Sequence, residues 1–303
     1  MTFTPDHLAL SVLHRLRNVA EHERVDAKLI QARYVTERFL DRLARSPYRD
    51  MFVLKGAMLH VVWKGDAYRA TRDLDLFGKE AADIHRLVAL FKEICTIPST
   101  DGLHFLDDKI RAEEIRENSD YGGMRVHLVA MLGKTQLLLT VDVGFGNAVE
   151  PPPRIETFPT LLGDPAIKIL AYPRETAVAE KLQTVVALGE ANSRFKDYYD
   201  LYVWSERFEF DGPTLARSVD ATFHRRHTDV PPALPPSLTA SFFANPRAAE
   251  GWRAYLGSGR LDGAPADFTA VGENLGRFAN PLFQALADEE EFPRQWQRGG
   301  PWR

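Results

Sequence analysis

Apolar positions recur every three or four residues at the start of the chain, predicting a helix from Thr4-Pro5 to about Val19 with Thr4 as its cap. A second helix is predicted from Asp26 to Ala44, with Ala32, Val35, Thr36, Phe39 and Leu43 as its buried stripe and Pro47 as its stop. The period then shortens. Met51 to Leu54 reads as a short buried strand, helical spacing returns in Met58, Leu59, Val62 and Trp63, and Leu74 and Leu76 alternate with Asp73 and Asp75 as in a half-buried strand. Lys79 to Cys95 reads as a helix with Ile84, Leu87, Val88 and Phe91 on one face. Met124 to Ala130 and Gln136 to Val143 flank Leu132-Gly133-Lys134-Thr135, a hairpin signal.

Pro151-Pro152-Pro153 is stiff and cannot donate to a sheet, which marks a boundary. Beyond it strand signals fade. Helices are predicted at Pro173 to Leu188, from Ser193 or Arg194 to Trp204, at Pro246 to Leu256 and at Ala266 to Leu286. Thr228 to Ser237, with four prolines, reads as a turn or linker. Asp288 to Glu291 reads as a solvated helix end, and Arg298 to Pro301 as a frayed tail. The expected fold class is therefore α+β: a mixed β-sheet with flanking helices over residues 1–155, then a mainly helical domain over 156–303.

Composition narrows the partners more than the fold. Lys+Arg 38 against Asp+Glu 42 gives a formal charge of −4, so no global basic field advertises nucleic acid, and any such contact needs a local patch. Arg38, Arg42 and Arg45 share a helix face that could touch an RNA backbone. Cys95 is the only cysteine, which excludes an internal disulfide and fits a reducing compartment. With no apolar leader at the N-terminus and no run of about 20 apolar residues, no membrane partner and a cytoplasmic location are the expectations.

The candidate chemistry sits where the period changes. Gly56 permits a sharp turn after the strand, and the Gly56-Ala57 amides are expected at a helix N-terminus, where orphan N–H groups favour anions; Lys55 adds a full positive charge. Alternation throws Asp73 and Asp75 to one face, and in Leu138 to Val143 it turns Thr140 and Asp142 away from Leu139, Val141 and Val143. Three carboxylates in one place repel unless a cation sits among them, and oxygen ligands suit Mg²⁺ or Mn²⁺. An isolated D-x-D is otherwise only a solvated strand edge. Lys181 falls with Val178, Leu182 and Val185 on one helix face, so a lysine interrupts an apolar stripe; snorkelling to water is the plain alternative. Arg194, Asp197 and Leu201 share another face, for which a local ion pair is the plain alternative.

Four blocks together resemble the nucleotidyltransferase superfamily of DNA polymerase beta type and, more narrowly, the AbiEii/AbiGii toxin family of bacterial toxin–antitoxin systems. They are Val53-Leu54-Lys55-Gly56-Ala57 with Arg69, Thr71, Asp73 and Asp75; Leu138 to Val143; Glu180-Lys181-Leu182; and Arg194 to Leu201. The resemblance implies a nucleotidyltransferase-like sheet, an NTP substrate and transfer of its NMP to an acceptor, with RNA and the tRNA 3′ end foremost, and a cognate antitoxin partner. It implies a metal at Asp73, Asp75 and Asp142, and nucleotide contacts from Lys55, Gly56, Ala57, Arg69, Thr71, Lys181 and Arg194. The second domain would add Lys181, as a phosphate-binding lysine, and Asp197, as an active-site carboxylate; Asp200 reads as structural. Ala57 departs from the superfamily, which places a second glycine or a serine there, and the gap from Ala57 to Asp73 is longer than usual.

Two rivals stand beside this reading. A non-catalytic module on the same fold would bind nucleotide or partner without transfer, which Ala57 favours. A D-x-D phosphohydrolase of haloacid dehalogenase type would want threonine or valine where Phe77 stands, and it leaves the Lys55-Gly56 turn without a role. His224-Arg225-Arg226-His227 lacks the further ligands that zinc needs and reads as a basic corner. Neither Cys95 nor any serine lies in a nucleophile motif.

Overall fold

The computed structural model describes residues 5–63, 71, 73–115, 122–259, 261 and 263–303. They divide into two compact units, one from the described parts of 1–64, 70–146 and 154–171, the other from those of 147–153 and 172–303.

The first unit opens with α1 (Pro5–Glu23) and α2 (Ala27–Arg45), where the Asp26 carboxylate accepts from the Lys28 amide and so caps the second helix. The chain continues through β1 (Phe52–Lys55), a 3₁₀ turn at Gly56–Met58, the single turn α3 (Leu59–Val62), β2 (Asp73–Gly78) and α4 (Ile84–Cys95). Six strands follow α4 before the second unit's first helix. They are β3 (Leu103–Phe105), β4 (Arg111–Ile115), β5 (Gly123–Leu132), β6 (Thr135–Phe145), β7 (Arg154–Phe158) and β8 (Ile167–Ala171), with β3 and β4 brief enough to have escaped the hydrophobic pattern. Among the described residues, eight strands form one sheet in the order β3-β5-β6-β2-β1-β8-β7, with β4 also paired to β5. The sheet is mixed: β2 runs parallel to β6 and β1 to β8, while β1/β2, β5/β6 and β7/β8 are antiparallel.

Strand signals thus continue past Pro151-Pro153 rather than fading there. Both β7 and β8 return to the sheet. Ile167, Ile169 and Ala171 are buried and Lys168 is exposed, an alternation too brief to stand out in the sequence. One sheet face carries Leu74, Leu76, Leu139, Val141 and Val143, each at most 2% exposed, and α2 packs against β6 and β8. Burial of this face holds the sheet and leaves the alternate positions for polar residues.

The α2 arginines correct the sequence reading. Arg38 and Arg42 are buried: Arg42 holds Asp101 through two hydrogen bonds of 2.6 and 3.2 Å, and Arg38 pairs with Asp164 at 3.1 Å. Only Arg45 is exposed, and it pairs with Asp41. The three therefore form no open surface for an RNA backbone, because a helix enclosed by the sheet, α1 and α4 has too little solvent-facing arc to hold them.

In the second unit, α5 (Arg174–Leu188) and α6 (Phe195–Arg207) lead into β9 (Phe210–Asp211), α7 (Gly212–Arg225), α8 (Ala240–Phe243), α9 (Pro246–Gly257), α10 (Phe268–Ala287) and β10 (Gln295–Trp296). Its core is aromatic: Phe243 meets Phe268 edge-on at 4.7 Å between ring centroids, and Trp252 stacks on Phe268 at 5.0 Å. Helix α7, absent from the expected elements, begins at an Asp211 cap and carries a buried stripe of Leu215, Val219 and Phe223 at helical spacing. The C-terminal tail is not frayed. The Trp296 indole donates to the Ser205 carbonyl at 2.7 Å, Gly299 N–H to the same carbonyl at 3.0 Å, and the Trp302 indole to Phe278 at 2.9 Å. Two buried tryptophans anchor a segment whose glycines suggested disorder. Among the described residues no helix is long and apolar enough to cross a membrane.

Candidate active site

The sheet face opposite α2 gathers the charged residues into rows. Lys55 of β1 lies in register with Asp75 of β2, Asp75 with Asp142 of β6, and Asp142 with Arg125 of β5. Registered neighbours point to the same side, about 4.8 Å apart, so the four form a single row of cation, two carboxylates and cation. Asp73 starts the next row, beside Thr140 and then His127.

Several sequence-predicted residues take their places here. Gly56 has φ +69°, and a Cβ there would collide with the Asp75 carboxylate, so glycine is required both for the turn and for the close approach of that side chain. Ala57 is buried, and the helix beyond it has only the four residues of α3 after the 3₁₀ turn. So short a helix has little macrodipole, which leaves Lys55 as the main positive charge at this turn. The Thr71 hydroxyl accepts from Asp73 N–H at 3.3 Å and donates to Asp73 carbonyl at 3.1 Å, fixing the start of β2. Arg69 lies outside the described residues.

Asp142 has a partner that the sequence reading missed. Arg125 donates from Nε and Nη2 to its two carboxylate oxygens, each at 2.8 Å. This hydrogen bonding, with the charge of Asp142 behind it, raises the guanidinium pKa further above its ordinary range. The repulsion that was expected to demand a metal is therefore offset at Asp142 by a side chain. The register was available in principle: a two-residue turn at Gly133-Lys134 pairs Leu132 with Thr135 and, counting outward, Arg125 with Asp142.

Asp73 and Asp75 meet the requirements of Mg²⁺, which takes one or two carboxylates and completes its shell with water and phosphate. Among the described residues no group of three or more His, Cys, Asp or Glu side chains is arranged to hold an ion.

In the second unit Lys181 does not snorkel to water. Its ammonium lies 2.8 Å from Asp197 and 2.7 Å from Asp200, and both carboxylates are almost fully buried. Arg194 approaches Asp197 from outside at 3.0 Å while its backbone N–H donates to Asn192 at 2.8 Å. Burial pushes the Asp197 carboxyl up, but Lys181 and Arg194 outweigh it, and the group is held below the usual carboxylate value. Nearby, Asn147 donates to Glu180 at 2.8 Å and to the Tyr172 hydroxyl at 3.0 Å, which ties the residue before Lys181 in place.

These residues fall within residues 38–286, the span matched by the model of the nucleotidyl transferase AbiEii toxin family of type IV toxin–antitoxin systems. The chain belongs to that family. This AbiEii protein is accordingly a nucleotidyltransferase toxin, and membership implies an NTP substrate and an antitoxin partner. No functionally curated protein matches its sequence. Among solved structures, the nucleotidyltransferase toxin MenT4 from Mycobacterium tuberculosis H37Rv is 18% identical over 91% of the AbiEii chain and 99% of its own, with a TM-score of 0.53. JHP933 from Helicobacter pylori is 13% identical over 87% and 94% of the two chains, with a TM-score of 0.49. The likeness to MenT4 supports a common α+β nucleotidyltransferase fold.

Proposed function

We propose that this AbiEii protein transfers an NMP from an NTP to an RNA acceptor, with the tRNA 3′ end foremost, in a reaction dependent on Mg²⁺ or Mn²⁺ held by Asp73 and Asp75. The observation that carries this reading is the row on one sheet face in which Lys55, Asp75 and Asp142 stand in register, with Asp73 one row away. In the reaction an acceptor hydroxyl oxygen bonds to the α-phosphorus, the bond from that phosphorus to the bridging oxygen breaks, and pyrophosphate leaves with the electron pair. The hydroxyl proton passes to a neighbouring carboxylate. A metal ion held by Asp73 and Asp75 would supply positive charge to offset that of the triphosphate and the leaving pyrophosphate. Lys55 adds fixed positive charge for the phosphates, and Gly56 lets the backbone and Asp75 lie close together. In the helical unit, Asp197 holds the Lys181 ammonium and the Arg194 guanidinium in place.

The test is incubation with each NTP, labelled at the α- or the γ-phosphate, with total tRNA and Mg²⁺. The proposal expects α-label alone to enter RNA and the labelling to disappear in Asp73→Ala. Nucleotide binding with no label in any acceptor would support a binding module instead, and phosphate release without RNA a phosphohydrolase.

A further inference from the structure

Arg125 is the one member of the charged row that no motif singles out, and its geometry is specific. Its Nε and Nη2 form a fork on both oxygens of Asp142, leaving Nη1 and the second hydrogen of Nη2 outside that fork. The pair is a poor device for stability. The Arg125 and Asp142 side chains are 37% and 24% exposed, and ion pairs so open to solvent contribute about 0–1 kcal/mol. On the other flank Glu113, its registered neighbour on β4, also attracts the guanidinium but makes its 3.2 Å contact with His127. What the fork does secure is orientation, because a guanidinium fixed along one edge presents its other donors in a set plane, the arrangement suited to phosphate oxygens. The Lys55 backbone stands at the opposite end of the row, about three strand spacings or roughly 14 Å away, and its ammonium extends across the face to Gly144 of β6. Two cations thus share the face that carries the Asp73 and Asp75 side chains.

We propose that Arg125 is a triphosphate-binding residue of this transferase and that Asp142 is its positioning residue, serving the guanidinium rather than a second metal ion. The inference rests on the transferase reading above and assigns a division of labour on the sheet face: metal on Asp73 and Asp75, phosphate on Lys55 and Arg125. Each Asp142 oxygen keeps a second lone-pair direction beside its bond to Arg125, but a metal ion there would compete with the guanidinium for the same carboxylate charge. Replacing it then acts on nucleotide affinity through Arg125 and leaves metal uptake intact.

The test measures, by calorimetry with each of the four NTPs and by the paramagnetic resonance of Mn²⁺, nucleotide affinity and bound Mn²⁺ for the full chain and for Arg125→Ala, Arg125→Lys, Asp142→Asn and the double variant Arg125→Ala/Asp142→Asn. The expected result is a roughly 10- to 100-fold weaker Kd for the bound NTP in Arg125→Ala, the scale for losing a charged hydrogen-bond donor. Arg125→Lys should recover only part of this, since a lysine keeps the charge without the fork. Asp142→Asn should weaken the NTP with the same Mn²⁺ count as the wild type, and the double variant should be little worse than Arg125→Ala. Thermal melting of each variant separates these effects from misfolding, with Arg125→Lys as the milder change should the alanine variant fail to fold. An unchanged NTP Kd in folded Arg125→Ala, or loss of a bound Mn²⁺ in Asp142→Asn, overturns the inference while leaving the transferase reading standing. Wild-type protein that binds none of the four NTPs overturns both.

Discussion

On the sheet, Asp142 and Arg125 keep about a quarter and more than a third of their side chains in solvent; in the helical unit, Asp197 and Asp200 keep 4% and 1%. Each cluster joins carboxylates to basic side chains, but water treats them differently. The sheet charges remain hydrated, so they can exchange partners at small cost and are suited to a ligand that arrives and leaves. The buried set cannot be left unbalanced, because each carboxylate removed from water needs its counter-charge. The sheet face should therefore report mutations in activity and the Lys181 cluster should report them in stability as well.

The largest expected effect lies on the sheet. Asp73→Ala should lower transfer by about 10³-fold, the scale on which a preorganised electrostatic group registers, with a melting temperature close to that of the wild type because Asp73 is exposed. An equal loss of stability would erase the contrast with the buried cluster. Next, Lys181→Met leaves two buried carboxylates facing an apolar side chain and should destabilise the protein by about 3–5 kcal/mol in urea titrations. A stability within about 0.5 kcal/mol of wild type would mean that water reaches the cluster.

The pH dependence sharpens the same point. Asp197 titrates below the ordinary carboxylate value when folded. Its stabilising contribution is therefore complete above about pH 5, where the unfolded carboxyl is mostly ionised, and is lost as pH falls through the lower folded value. Asp197→Asn should flatten the acid limb of a stability–pH profile; an unchanged limb would assign the acid sensitivity elsewhere. The smallest effect is expected from Arg45→Ala, an exposed i, i+4 pair with Asp41, at no more than about 0.5 kcal/mol.

What the sequence made legible follows the reach of local patterns. Asp73 and Asp75 were readable because a period of two acts over adjacent residues, and the face of Asp142 was readable for the same reason. The pairing of Arg125 with Asp142 depends on the hairpin register carried seven residues along each strand from its turn, beyond the reach of a local period. The burial of Arg38 and Arg42 could not be read from α2 alone, since their partners Asp164 and Asp101 lie 126 and 59 residues onward. Lys181 is the intermediate case: its place in an apolar stripe marked it as unusual, whereas the two carboxylates that receive its ammonium lie on the next helix. Strands β3 and β7 are three and five residues long, and edge strands so brief carry too little periodicity to separate from loop.

The central claim is that the charged face of the sheet performs the transfer. It is tested most directly by the initial rate at which α-labelled NTP enters total tRNA in Mg²⁺, compared between wild-type protein and Asp75→Asn, a substitution that keeps the side-chain shape beside Gly56 and removes its charge. The account predicts labelling by the wild type and a loss of about 10³-fold in a variant that melts like the wild type. Equal labelling by the two proteins would contradict it.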